Sequence, residues 1–318
     1  MLDISFSKAV RGFHVSNEAE GLSPKTIRWY DNNLQYFRVW ARKKYTREPK
    51  LQEITAEDIR EYLTDLRGSE ESYANHPFTP KQNRKISPRT IQGYYSSLSA
   101  FFNWALREEF IEKSPVKNVP RPRVPKYLPD PFTDEEVKKL LRAAKQLDDR
   151  MALRMTAILM VMLDTGLRLT ELLEMKKKDL DLDQSRALIM GKGAKQRYIF
   201  FGKTSRKALW QYISMARPEP KLGIDNVFLT HDGRRMKQRR FAQMLKDLGA
   251  KAGVENVHPH RFRRYATISC LRAGMGELFL SKMLGHEDTS LLKVYAAVLP
   301  DDVQRAHIRV SPMDGLKE

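Results

Sequence analysis

A chain of 318 residues with 41% hydrophobic content is long enough for two domains and can bury a core in each. Lys and Arg number 57 against 39 Asp and Glu, a formal charge of +18, so the field around the molecule draws polyanions and nucleic acid is the first partner to test. No apolar run approaches the roughly 20 residues of a bilayer span, and MLDISFSKAV lacks the basic start and long apolar core of a signal peptide, so the expectation is a cytoplasmic protein that does not enter a membrane.

Ser23-Pro24 places a capping hydroxyl before a proline at the first helical position, where the missing N–H costs nothing. Ile27, Tyr30, Leu34, Phe37 and Trp40 then recur at helical steps, with Arg28, Arg38, Arg42, Lys43 and Lys44 lying elsewhere. Thr55 with Asp58 caps a second helix through Leu66. The stretch from Gly68 to Ile86 loses periodicity and reads as a loop, after which Ser87-Pro88 repeats the first start signal before Ile91, Tyr94, Leu98 and Phe101. These elements predict a small, basic helical bundle over 1–116. Six prolines between Pro115 and Pro131 predict an extended, semi-rigid linker over 117–131, whose Arg121 and Arg123 could follow a nucleic-acid backbone.

Thr133 with Glu136 forms a capping box that opens the second domain, 132–300. MALRMTAILMVMLDTG predicts a central buried helix ended by Gly166, after which Arg168 precedes Glu171 by one turn. Ala187 to Met190 and Arg197 to Phe201 read as two apolar strands around Gly191-Lys192-Gly193, a β-hairpin with Lys192 at its tip that completes no phosphate-loop pattern. TSRKALWQYISMA predicts a helix and VFLT a short strand. RRMKQRRFAQMLKDLG predicts a helix with Arg234, Arg235, Lys237, Arg239 and Arg240 crowded away from its core side, a surface suited to phosphates. The one cysteine, Cys270, excludes an intramolecular disulfide framework and fits a packing role in a reducing compartment.

From His258 to Tyr295 the chain offers His260, Arg263, His286 and Tyr295, the cationic, proton-donating and nucleophilic groups that attack on a phosphodiester needs. His258, His260 and His286 lack a fourth ligand and the spacing of a zinc site. Arg168 in TGLRLTEL, Lys192 in GKG, His260 and Arg263 in H-x-x-R, His286 in LGH and Tyr295 after eight intervening residues match, in order and spacing, a pattern that resembles the tyrosine recombinase (phage integrase) family. The resemblance covers about Thr133 to Tyr295, and the N-terminal bundle is similar to the family's core-binding domain.

The fold this resemblance implies is mainly α with a small β-sheet: an N-terminal helical, SAM-like core-binding domain and an α+β catalytic domain. The implied activity is site-specific recombination of double-stranded DNA through a 3′-phosphotyrosyl intermediate and a Holliday junction, on a homotetramer, without metal, ATP or another cofactor. Arg168 and Arg263 would stabilise the transition-state charge, Tyr295 would attack, and His286 would bind a phosphate oxygen. Lys192, with Lys195 as competitor, would protonate the leaving oxygen, and His260 would act as base or phosphate contact. Glu171 would brace the site. The tail, 301–318, with a short helix from Asp301 to about Ile308, would dock on a neighbouring protomer. No arm-binding domain is evident, which places the chain nearer compact Xer-type or transposon recombinases of bacteria, phages or mobile elements. A type IB topoisomerase and a non-catalytic DNA-binding protein on the same fold are the alternatives; the DNA target and the direction of reaction are not encoded in any motif.

Overall fold

The computed structural model describes residues 4–69, 85–125, 131–191 and 195–285. The chain divides into two compact units, Met1–Tyr127 and Leu128–Glu318.

The first unit is built from α1 (Phe6–Ala19), α2 (Pro24–Tyr45), α3 (Ala56–Gly68) and α4 (Pro88–Arg107). Ser23 and Ser87 each accept a hydrogen bond from the amide three residues on and each precede a proline, so the repeated Ser-Pro signal is one capping solution used twice. Thr55 and Asp58 form the expected capping box. The sequence signals assigned no element before Ser23, yet α1 supplies Phe6 and Phe13 to the core, where Phe6 meets Phe101 edge-on at 5.1 Å.

Part of the expected linker is not free. Val116 and Val119 are buried in the first core, Tyr95 donates to the Val119 carbonyl and Gln92 to that of Pro122. Apolar residues between the prolines pull the chain back onto the bundle, so the segment stays with the first unit at least as far as Pro122. The expected loop lies mostly outside the described residues, as do the tail and its helix.

The second unit starts with α5 (Asp134–Lys145), capped by Thr133 and Glu136, and α6 (Asp149–Thr165). α6 is the buried centre, lying against α5, a later helix α8 (Lys203–Gln211) and the helix α10 (Pro259–Arg272). Gly166 ends it in the left-handed region at φ +61°. The short α7 (Leu169–Glu174) follows.

Three antiparallel strands, β1 (Leu180–Asp181), β2 (Arg186–Met190) and β3 (Gln196–Phe200), form a sheet in the order β1-β2-β3, with Leu188 opposite Tyr198. The two expected strands pair antiparallel, their expected tip at Lys192 lies outside the described residues, and β1 is an addition.

α8 runs into a π-helical turn, Tyr212–Ala216. VFLT is not a strand. Val227, Phe228 and Leu229 are fully buried and irregular, with single bridges at Asn226 and Leu229, so their apolar character reflects core position rather than strand pairing. α9 (Gln238–Ala252) starts later than the basic run, leaving Arg234 and Arg235 in the preceding turn and Lys237 at the cap. α11 (Glu277–Leu284) closes the described chain with Gly285 at its left-handed C-cap.

Candidate active site

Glu171 is the hub of the site. It sits at the third position of α7, where its carboxylate accepts from the Arg168 amide at 2.9 Å, as a capping-box acid does. Its side chain is only 4% exposed, and a lone carboxylate there would be costly. Two guanidiniums meet it: Arg168 Nη1 donates to Oε1 at 3.1 Å, and Arg197 donates to both oxygens at 3.0 and 2.9 Å. Burial alone would raise the Glu171 pKa, but the hydrogen bonds from Arg197 and Arg168 outweigh it and hold the carboxyl below the usual range.

Helix α10 brings the second expected arginine. Pro259 starts it, and Arg263, one turn in, lies buried beneath the end of α6. Its Nη1 donates to the Gly166 carbonyl at 2.8 Å and its Nη2 to that of Leu284 at 2.7 Å. A Cβ on Gly166 would lie 2.8 Å from Leu284 Cδ2 and 3.3 Å from Ala266 Cβ, so glycine lets α6, α10 and α11 converge here. The same carbonyl end of α11 collects the other cations: Arg168 donates weakly to Leu284 and Gly285, and Arg197 Nε donates to Met283 at 3.0 Å. Orphan carbonyls at a helix C-terminus form a negative pole, and here three guanidiniums satisfy it.

His260 stands on the exposed side of α10, in the field of this cluster. Partial desolvation by the surrounding protein, followed by repulsion from Arg263, Arg264 and Arg168, lowers its pKa below the ordinary 6.5 and favours the neutral imidazole. Behind it, Arg261 is buried against Phe132 at 4.3 Å and pairs with Glu136, tying α10 to the start of the unit.

The structure therefore brings together Arg168, Glu171 and Arg263, with His260 in their electrostatic field. Lys192, His286 and Tyr295 lie outside the described residues. Lys195 is exposed just before β3, and its carbonyl accepts from Gly191. Arg234, Arg235, Lys237, Arg239 and Arg240 are exposed in the turn before α9 and at its first residues, and Arg234 is paired with Asp232 at 3.0 Å. Arg121 and Arg123 are exposed on the first unit.

Arg197 was missed, counted only as the start of an apolar strand. The available signal was parity: on β3 it shares a face with buried Ile199, and a charged residue on an inward position needs a partner.

The fold is that of DNA-bound recombinases and integrases. A Tn1549 transposon integrase in complex with a circular intermediate DNA matches with a TM-score of 0.73 at 18% identity, over 96% of this chain and 99% of that one. The XerH site-specific recombinase bound to a palindromic difH substrate matches at 0.72 and 20% identity, over 98% and 85%. The sequence narrows the class. Residues 131–301 match the phage integrase family and residues 12–112 the phage integrase N-terminal SAM-like domain. Tyrosine recombinase XerD of Listeria innocua is 30% identical over 88% of this chain and 90% of its own length. Tyrosine recombinase XerC of Lactobacillus delbrueckii subsp. bulgaricus is 30% identical over 90% and 92%. The chain belongs to the phage integrase family, the tyrosine recombinases.

Proposed function

We propose that this protein is a site-specific DNA recombinase that cleaves and rejoins strands through a 3′-phosphotyrosyl intermediate. The observation that carries it is the convergence of Arg168 and Arg263 on the α11 terminus, where both donate to the Leu284 carbonyl, eleven residues before Tyr295, with His260 within their electrostatic field. Two held guanidiniums can bind the non-bridging oxygens as their charge grows. The Tyr295 hydroxyl attacks phosphorus and gives up its proton to His260 or solvent. The P–O5′ bond breaks, and Lys192 protonates the departing oxygen. His286 binds a phosphate oxygen. Attack by a partner strand's 5′-hydroxyl on the phosphotyrosyl ester then releases the tyrosine and completes exchange, with no net change in phosphodiester bonds.

The basic turn and first residues of α9 support a DNA contact on physical grounds. Cations at the positive end of a helix cost stability, and a polyanion there recovers it. Exposed Arg121 and Arg123 serve the same partner. Assembly as a homotetramer on two sites, with the tail docked on a neighbour, follows from the need to exchange two pairs of strands. A mobile element or chromosome of a bacterium is the fitting setting. Among the described residues no helix is long and apolar enough to cross a membrane.

The test is single-turnover cleavage of a nicked duplex carrying the cognate site. Arg168→Ala is expected to bind the site within about threefold of wild type and to lose cleavage by about 1,000-fold. Undiminished cleavage, or loss of all binding by a folded variant, would contradict the assigned role.

A further inference from the structure

Arg197 lies at the centre of the cluster, although none of the proposed chemistry is assigned to it. Its side chain is 15% exposed and its donors point two ways, to both oxygens of Glu171 and to the Met283 carbonyl, with a weaker contact to Leu284. It also fits between two glycines. A Cβ on Gly191 would lie 3.1 Å from its Nη1, and a Cβ on Gly285 would lie 2.8 Å from its Cζ. Lys192 follows the first glycine by one peptide bond and His286 the second.

We propose that Arg197 is a positioning residue for strand cleavage. Together with Glu171 it fixes the backbone at Gly191 and Gly285, and so registers the hairpin that leads into Lys192 against the end of α11 that leads into His286. This rests on the recombinase activity proposed above. Neutralising Glu171 does not by itself require Arg197, because Arg168 already supplies a cation and an amide to the same carboxylate. What Arg197 adds is geometry. A planar fork can hold a carboxylate with one edge and a carbonyl with Nε, whereas a lysine ammonium is a single point that cannot span both.

The experiment uses the full chain and a site recovered by selection from random-sequence duplexes with wild-type protein. Two nicked substrates are compared, one ordinary and one with sulfur replacing the bridging 5′-oxygen at the scissile phosphate. Attack by Tyr295 breaks P–O5′ in the first and P–S in the second, and a thiolate departs without needing a proton. Cleavage of the sulfur duplex therefore does not depend on delivery of the acid. For Arg197→Gln and Arg197→Lys, site affinity is expected within about threefold of wild type and cleavage of the oxygen duplex down about 100-fold. The sulfur duplex is expected to be cleaved within about tenfold of wild type. Arg197→Lys keeps a cation beside the buried carboxylate and serves where Arg197→Gln fails to fold. The proposal is overturned by wild-type oxygen-duplex cleavage in either folded variant, or by equal losses on the two duplexes. Failure of wild-type protein to form an adduct on either duplex would instead defeat the recombinase assignment.

Discussion

The lowered pKa of His260 comes from partial burial and from its cationic neighbours, and that makes it testable. Its lowered pKa means that the folded protein takes up the proton only below the ordinary 6.5. If the neutral ring accepts the proton from Tyr295, activity is present above the folded pKa and lost as pH falls through it. The second-order cleavage rate, which reports the free protein, should keep its plateau to below pH 6.5. Arg264→Gln removes one repelling cation and should move the acid limb upward towards the ordinary value. A limb that stays in place would remove His260 from the role of base. At this scale the sequence was uneven in what it disclosed. Arg168 and Glu171 stand one helical turn apart, so their pairing could be read directly. Arg197 meets Glu171 across 26 residues and Met283 across 86, and only its inward parity on β3 hinted that it needed partners.

Elements were legible where local chemistry decides them and obscure where tertiary contacts do. Ser23, Thr55, Ser87 and Thr133 cap their helices as side-chain chemistry requires, and Gly166 stops α6 as a left-handed cap should. VFLT carried the composition of a strand but is buried without regular pairing, and nothing within four residues distinguishes the two outcomes. The spacing of Phe6, Ala9 and Phe13 was available in the sequence and marks α1. Gly166 also joins element geometry to the site. Gly166→Ala places a Cβ 2.8 Å from Leu284 in a left-handed conformation, so it should destabilise the protein by at least about 2 kcal/mol. The midpoint of urea unfolding checks this, and an unchanged midpoint would show that α6, α10 and α11 have room to separate.

At the scale of the whole molecule, charge is the property that the sequence states most openly and the fold distributes. A protein of net charge +18 must bind DNA with a strong dependence on salt, because each neutralised phosphate releases counterions. Replacing Lys237, Arg239 and Arg240 with glutamine should weaken binding at all sequences and lower the slope of log affinity against log salt by up to about 3. An unchanged slope, measured by titration between low and physiological salt, would take the start of α9 off the DNA.

The central claim is that Tyr295 becomes covalently joined to DNA. The most direct measurement incubates the full chain with a nicked cognate duplex, digests the trapped complex and identifies by mass spectrometry the peptide that carries the nucleotide. The account predicts modification of the Tyr295 peptide, with no adduct from Tyr295→Phe under the same conditions. An adduct on Tyr265 or another residue, or one that survives Tyr295→Phe undiminished, would contradict it.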